Sequence, residues 1–351
     1  MTPPPPLLTP YRLAFSALSL VCATAQAQAL TPRELADCQA IPAATQRLAC
    51  YDALAQAAAP AMPVASAPAA REAAAAASSA PPSVLDERWE LTEALRKPAF
   101  LPQPYRPVYL LPLSQVTRLN QRPRSPTPGR QVEEDLQLKH LESQFQLSLK
   151  ARLWSQDDDG PLSLWAAYTQ SSRWQVYNEA TSRPFRETNY EPELLATLRA
   201  NVPLAGGRVR FLGLALNHQS NGRSLPFSRS WNRVIGDITW EGDNSSLSLR
   251  PWVRLREAPD QDDNPDIADY MGRGEVQWVR RFGGHVLSLT ARHSLHSGER
   301  SRGSALLEWS FVLGGGLHGY AQLFRGWGDN MVDYNVRQTR LGLGVSLVQW
   351  R

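Results

Sequence analysis

Three residues whose side chains together could cleave an ester lie within one short stretch of the chain, at His218, Ser220 and Asn232. A hydroxyl nucleophile, a histidine base and an amide that orients the base are the parts of a serine hydrolase. We therefore predict that Ser220 is the nucleophile, that His218 is its general base, and that Asn232 holds the imidazole. The residues between base and amide include NGRSLPFSR, whose turn-forming residues predict a hairpin.

The strands of this hairpin would place the three side chains on an apolar surface. Side chains alternate between faces along a strand, so a row of leucines before the turn continues into His218 and Ser220. On the returning strand Asn232 shares its face with Val234, next to that row. An amide orients the base without exposing an unpaired charge to lipid, as a carboxylate would. The competing interpretation is that these are ordinary polar residues near the rim of a sheet.

A hydrolase of this kind must also stabilise the negative charge that develops on the carbonyl oxygen. A backbone N–H and a metal ion are the sources that the sequence allows. Oxygen donors for a hard cation such as Ca²⁺ are available at Ser228, at the backbone carbonyls near Arg223, and in the acidic segment 260–266.

The apolar row is one case of a period-two alternation that is typical of strands. The alternation recurs at 145–153, 247–255, 305–311 and 341–347. In these segments, apolar residues alternate mainly with Lys, Arg, Glu, Ser, Gln, Trp or Gly, which would lie on the opposite face of the strand. The segments have the length of about ten residues that crosses a bilayer as a tilted strand. We predict an all-β fold, an antiparallel transmembrane β-barrel of about 12 strands with an N-terminal extension. A soluble β-sandwich hydrolase would alternate in the same way and is an alternative.

Composition divides the chain into a signal peptide, a small helical cysteine-containing segment, an Ala/Pro/Ser-rich linker, an irregular Pro-rich arm and the barrel, predicted at 1–29, 30–56, 57–83, 84–137 and 138–351. The signal peptide has a short apolar run after Arg12 and small-x-small cleavage sites, so we expect export. In an exported protein, Cys38 and Cys50 form either a local disulfide or a pair of buried thiols.

The charge of the chain argues against binding to nucleic acid. The net charge is +4, and the arginines are dispersed through strand-like segments without a basic tract. After the signal peptide, no apolar run is long enough for a transmembrane helix, which needs about 20 residues. We therefore expect contact with a membrane through strands and no nucleic-acid partner.

The stretch 217–233, NHQSNGRSLPFSRSWNR, resembles the signature of the outer membrane phospholipase A family. Further segments resemble family segments in the same order: YTQSSRWQVYN, PFRETNYEPEL, DDNPDIADYMG and DYNVRQTRLGLGV. The resemblance covers 138–351 and is weak across 84–137. It implies a barrel in the bacterial outer membrane whose Ser220, His218 and Asn232 face the lipid of the outer leaflet. It also implies hydrolysis of phospholipid acyl esters by these residues.

The resemblance further implies a homodimer that is active with Ca²⁺. The positions that match the family's calcium ligands are Arg223 and Ser228, with the partner subunit's Ser182. Gln170 matches a polar position at the family's dimer interface.

One position departs from the family pattern, and the departure affects a second calcium site. The family often carries an acidic residue where this chain has Leu225, and that residue pairs with the one matching Asp263. Asp263 is therefore either a calcium ligand or a residue that caps its loop. The function that we expect is calcium-dependent hydrolysis of glycerophospholipid and lysophospholipid esters at the outer membrane. The alternative from another class is a non-catalytic outer-membrane pore or structural barrel.

Overall fold

The computed structural model describes residues 37–58, 82–157 and 160–350, and the predicted signal peptide lies outside them. The chain divides into two compact units, 1–81 and 82–351. No helix in the described ranges is long and apolar enough to cross a membrane.

The first unit contains helix α1, Ala44–Ala58, and a disulfide between Cys38 and Cys50. The two Cα atoms are 5.6 Å apart, and the Cys38 side chain is buried. Of the two alternatives for this pair, the structure therefore has the local disulfide.

The second unit is mainly β-structure. Its strands are β1 Gln103–Pro104, β2 Val108–Val116, β3 Leu141–Ser155, β4 Leu162–Trp174, β5 Phe185–Leu204, β6 Gly207–Ser220, β7 Ser230–Glu241, β8 Ser245–Leu255, β9 Gly274–Phe282, β10 His285–His293, β11 Gly303–Gly314, β12 Leu317–Gly326 and β13 Gln338–Val348. Its helices are α2 Val84–Trp89 and α3 Ile267–Met271, with 3-10 turns at Glu93–Leu95, Glu179–Thr181 and Gly298–Arg300.

Twelve of the described strands close into an antiparallel barrel, as the alternation predicted. Each strand from β2 to β13 pairs with its neighbour in sequence, and β13 pairs with β2 to complete the ring. The short strand β1 lies outside this ring order and pairs with β3. Closure removes the unpaired sheet edges, which a bilayer does not tolerate.

The connections differ between the two ends of the barrel. At the short-turn end, β5 joins β6 and β9 joins β10 through two residues each, 205–206 and 283–284. Ala205 and Gly206 both have positive φ, 48° and 74°, which suits the right-handed twist of a tight hairpin. At the long-loop end, the connections include 117–140, 221–229 and 256–273. In bacterial outer-membrane barrels, the longer loops are extracellular.

The outer face of the barrel is apolar. Large exposed side chains recur at alternate positions, for example Leu147 and Leu149 on β3 and Leu212, Leu214 and Leu216 on β6. The residues between them point into the lumen and are mostly buried. This pattern is the reverse of a soluble sandwich, which hides its leucines, and it fits a surface in contact with lipid.

The barrel begins earlier than the sequence predicted, because β2 lies inside the segment 84–137 that we expected to be an irregular arm. Pro112 interrupts the alternation there, and the pairing of β2 with β3 shifts register between Leu111 and Ser114. A proline within a run argues against a regular strand, but bulges tolerate it. The segment therefore contributes one of the twelve strands.

The lumen is filled with charged and aromatic side chains. Arg250 of β8 reaches across two strands to Glu193 of β5, with Nη2 and Oε1 3.2 Å apart. At the short-turn end, Trp89 of α2 packs against Trp165 and Phe211 inside the barrel. A cavity of about 180 Å³ remains among these groups.

Candidate active site

The hairpin of β6 and β7 brings together the residues that the sequence singled out. His218 of β6 is paired directly with Asn232 of β7, and Ser220 lies two residues further along β6, opposite Ser230. His218 is exposed, whereas Ser220 and Asn232 are half-buried. All three lie on the outward face, on the continuation of the leucine row and close to the long-loop end.

The imidazole of His218 is hydrogen-bonded to the side chain of Asn232. Nδ1 lies 2.8 Å from Oδ1 of Asn232. An amide oxygen can only accept a hydrogen bond, so the proton of the neutral ring must be on Nδ1. The other nitrogen, Nε2, then has a free lone pair, which is the state that a general base requires.

The connection after Ser220 is held in shape by Asn221. Its buried side chain accepts from the backbone N–H of Arg229 at 3.0 Å and donates to the carbonyl of Phe227 at 2.8 Å. Gly222 follows with φ +61°, and a Cβ at this position would approach Tyr190 to 2.9 Å. The Asn-Gly pair therefore fixes where the chain turns after the proposed nucleophile.

The same connection positions the two candidate calcium ligands of this chain. The guanidinium of Arg223 donates to the carbonyl of Arg186 at 2.7 Å and stacks on the ring of Phe227. The hydroxyl of Ser228 donates to Oδ2 of Asp263.

Asp263 itself is engaged by an arginine from the connection between β2 and β3. Its Oδ1 lies 3.0 Å from Nε of Arg130. Two hydroxyls of that connection, Ser125 and Thr127, donate at 2.6 Å to the carbonyls of Asp263 and Asp262. The side chain of Leu225 is 53% exposed. Asp263 therefore holds Ser228 and pairs with Arg130.

The remaining predicted residues lie on other elements. Ser182 is exposed in the connection between β4 and β5, where it ends a 3-10 turn in the left-handed conformation with φ 59°. Gln170 lies on the outward face of β4 and accepts a hydrogen bond from Tyr168 at 3.1 Å. It is a polar group on a surface that is otherwise rich in leucine.

Glu257 belongs to this arrangement although the sequence analysis did not single it out. Its Oε1 accepts a hydrogen bond of 2.9 Å from Nδ2 of Asn232. Burial raises the pKa of the Glu257 carboxyl above its ordinary value. The periodicity could have revealed the residue, because Glu257 continues the outward row of Val253 and Leu255 on β8 as His218 continues the row on β6.

Asn264 was also missed, and it supports β7 at its first residue. Its side chain accepts from the N–H of Ser230 at 2.9 Å and donates to the carbonyl of Ser230 at 2.9 Å. These two bonds replace a missing strand partner at the start of β7. No sequence signal distinguishes this asparagine from an ordinary loop residue.

Comparison with known sequences identifies relatives of this barrel. The model of the family described as phospholipase A1 matches residues 85–347. A putative phospholipase A1 of Neisseria meningitidis is 38% identical over 251 residues, which cover 69% of this chain and 64% of that protein, a little under two thirds of its length. A phospholipase A1 of Escherichia coli is 41% identical over 207 residues, covering 59% of this chain and 69% of that protein.

Comparison with solved structures finds the same kind of protein. Outer membrane phospholipase A from E. coli superimposes with a TM-score of 0.64 at 35% identity, covering 72% of this chain and all of that one. The dimer of Salmonella typhi outer membrane phospholipase with bound calcium gives a TM-score of 0.64 at 33% identity, with coverage of 74% and 96%. The family model spans most of the chain, including the hairpin with His218, Ser220 and Asn232. The chain therefore belongs to the phospholipase A1 family.

Proposed function

We propose that this protein is a calcium-dependent phospholipase A of the outer membrane. It hydrolyses the acyl esters of glycerophospholipids at either acyl position, and of lysophospholipids. The observation that carries the proposal is the 2.8 Å hydrogen bond from His218 to Asn232, with Ser220 on the same outward face. The names of the relatives support the substrate class.

In the proposed reaction, Nε2 of His218 takes the proton of Ser220 as Oγ attacks the ester carbonyl carbon. The resulting tetrahedral species collapses, the ester C–O bond breaks, and the imidazolium returns the proton to the leaving alcohol. Water, deprotonated by His218, then attacks the acyl-serine. The bond between the acyl carbon and Oγ breaks, the imidazolium returns the proton to Oγ of Ser220, and the fatty acid is released. Asn232 keeps the imidazole oriented and accepts from its Nδ1–H throughout.

The outward position of the site favours a substrate that arrives within the membrane. The row of leucines leads directly to His218, so acyl chains can remain in apolar surroundings while the ester reaches Ser220. A single convex barrel offers no cleft for these chains, whereas two barrels side by side create one. We therefore propose a homodimer as the active form, as the solved dimer of the Salmonella relative also suggests.

The residues of this chain fit a role for Ca²⁺. In the described residues, no group of three or more His, Cys, Asp or Glu side chains is arranged to hold a metal. Ca²⁺ also accepts hydroxyl, carbonyl and water oxygens as ligands. The hydroxyl of Ser228 donates a hydrogen bond to Asp263, which leaves the lone pairs of the Ser228 oxygen open to a cation. We propose Ser228, the carbonyl of Arg223 and the partner subunit's Ser182 as ligands. When bound, Ca²⁺ would supply positive charge for the developing oxyanion.

The contacts of Asp263 do not favour direct coordination of Ca²⁺ by its carboxylate. Arg130 already lies 3.0 Å from one of its oxygens, and Ser228 donates to the other. A second cation there would lie beside the guanidinium of Arg130, and the side chain of Leu225 offers no oxygen. We propose that Asp263 acts by holding Ser228.

The filled lumen favours a hydrolase over the alternative of a pore. The ion pair between Arg250 and Glu193 spans the interior, and Arg173 of β4 pairs with Asp329 at 2.9 Å on the connection from β12. Side chains that fill a small barrel in this way restrict passage through it.

The test is Ser220→Ala, assayed as fatty-acid release from mixed micelles with calcium. We expect a loss of at least about 10³-fold, since removal of the nucleophile disables the whole triad. Ser224→Ala in the same connection, where the hydroxyl is exposed, is the matched control and should keep wild-type activity. Acyl release by Ser220→Ala at the wild-type rate would refute the proposal.

A further inference from the structure

The orienting amide of Asn232 has a second hydrogen-bond partner. Its oxygen faces His218 at 2.8 Å and its nitrogen faces Oε1 of Glu257 at 2.9 Å. The two contacts form a chain of side chains from β6 through β7 to Glu257, which lies two residues after the end of β8.

This second contact matters because the side-chain amide of Asn232 can flip. A rotation of 180° about the last bond exchanges the oxygen and the nitrogen of asparagine at almost no cost in shape. With the nitrogen toward the ring, Asn232 would donate to Nδ1, and the proton would move to Nε2. Nε2 could then no longer accept the proton of Ser220. The orientation of the amide thus decides whether His218 can act as a base.

A carboxylate removes this ambiguity. It accepts hydrogen bonds and cannot donate them when ionised, so it holds the NH₂ of Asn232 and forces the oxygen toward His218. We propose that Glu257 is a positioning residue, which fixes the amide of Asn232 in the only orientation that leaves His218 able to act as a base. This inference rests on the proposed roles of Ser220, His218 and Asn232.

The surroundings of Glu257 suit this role. It is half-buried, and its Oε2 lies 3.9 Å from Nη2 of Arg254. Arg254 in turn binds Oδ1 of Asp262 at 2.7 Å, which ties the residue to the connection between β8 and β9. One oxygen of the carboxylate is therefore paired with Arg254 while the other reaches Asn232.

Moving the negative charge from residue 257 to residue 232 tests the proposal more sharply than removal of the Glu257 carboxylate alone. Asn232→Asp places two carboxylates side by side, so repulsion from Glu257 should misplace the group that orients His218. In the double variant Asn232→Asp with Glu257→Gln, the glutamine NH₂ can donate to the new carboxylate and restore the chain. We expect the double variant to be at least about tenfold more active than Asn232→Asp, the effect of one charge-assisted hydrogen bond.

Single variants complete the experiment. Glu257→Ala should lower kcat by about tenfold, the cost of one hydrogen bond to a charged group, with little change in KM. In a protein that already carries Asn232→Ala, the same change should have no further effect. Glu299→Ala, an exposed acid in another connection at the same end, is the control and should behave as wild type. Heat-modified mobility on gels checks that each barrel is folded.

The outcomes separate this inference from the proposed function. If Ser220→Ala is inactive while Glu257→Ala keeps full kcat and the double variant is no better than Asn232→Asp, the role of Glu257 is refuted and the triad stands. If Ser220→Ala is active, the proposed function is refuted, and the role of Glu257 is refuted with it. Loss of kcat in Glu257→Ala together with recovery in the double variant supports the positioning role.

Discussion

At the scale of single residues, an amide is hydrogen-bonded to the histidine that we propose as the base, on the apolar outer face of the barrel. Asn232 is half-buried next to exposed leucines, where an isolated carboxylate would be costly. The carboxylate of Glu257 contacts Asn232 and not the imidazole, and it lies beyond the end of β8 near Arg254. The negative charge is thus kept outside the membrane-spanning strands, and a neutral group contacts the imidazole.

The calcium proposal is also tested at single residues. Ser228→Ala removes a proposed ligand, and we expect the Ca²⁺ concentration for half-maximal activity to rise by at least about tenfold, since even outer-shell partners of a metal contribute that much. Titration of fatty-acid release with Ca²⁺ after EDTA treatment measures this, and EDTA alone should stop wild-type turnover reversibly. Ser224→Ala should keep the wild-type titration curve. An unchanged curve for Ser228→Ala would exclude its role as a ligand.

At the scale of elements, the hairpin of β6 and β7 both crosses the membrane and carries the site. Because its outward leucines contact lipid, a charged residue in their place should destabilise the barrel by an amount that depends on its depth in the membrane. Leu214→Arg, near the middle of β6, should lower the free energy of unfolding by about 2–4 kcal/mol in lipid vesicles, because a charge at the bilayer midplane is poorly solvated.

The matched control for this prediction lies at the short-turn end. Leu204→Arg, at the end of β5 and also exposed, should cost about 0–1 kcal/mol, since the charge can reach the interface. Denaturant titration followed by tryptophan fluorescence measures both variants. Equal destabilisation at the two positions would contradict contact of β6 with the membrane interior.

The sequence predicted those elements whose residues alternate without interruption. The leucine row of β6 placed His218 and Ser220 on the outward face, where the structure also has them, because a period of two leaves a strand only two faces. Strand β2 was missed because Pro112 and the adjacent bulge break that period. Glu257 was missed because it lies beyond the end of β8, although it continues the outward row of that strand. Contacts between neighbouring connections, such as Arg130 with Asp263, carry no local signal.

At the scale of the whole molecule, the proposed homodimer can be tested at Gln170. It lies on the outward surface of β4, so a two-fold axis nearby would place it close to its own copy. In Gln170→Cys, we expect disulfide-linked dimers in membranes, and their fraction should rise with Ca²⁺. Non-reducing gel electrophoresis measures the fraction.

A position on the opposite side of the barrel controls for random collision. Leu289→Cys on β10 is also outward and exposed, and it should give little crosslinking with or without Ca²⁺. If both variants crosslink equally, Gln170 does not mark the interface of the dimer.

Closure of the barrel has a consequence for how the protein is made. The seam joins β2 to β13, so the sheet cannot close until the last strand has been synthesised. Contacts between residues so far apart in sequence form slowly. The hairpin of β6 and β7 lies about half-way round from the seam and needs only its own short connection. The hydrogen bond between His218 and Asn232 can thus form early in assembly, well before the seam of the barrel closes.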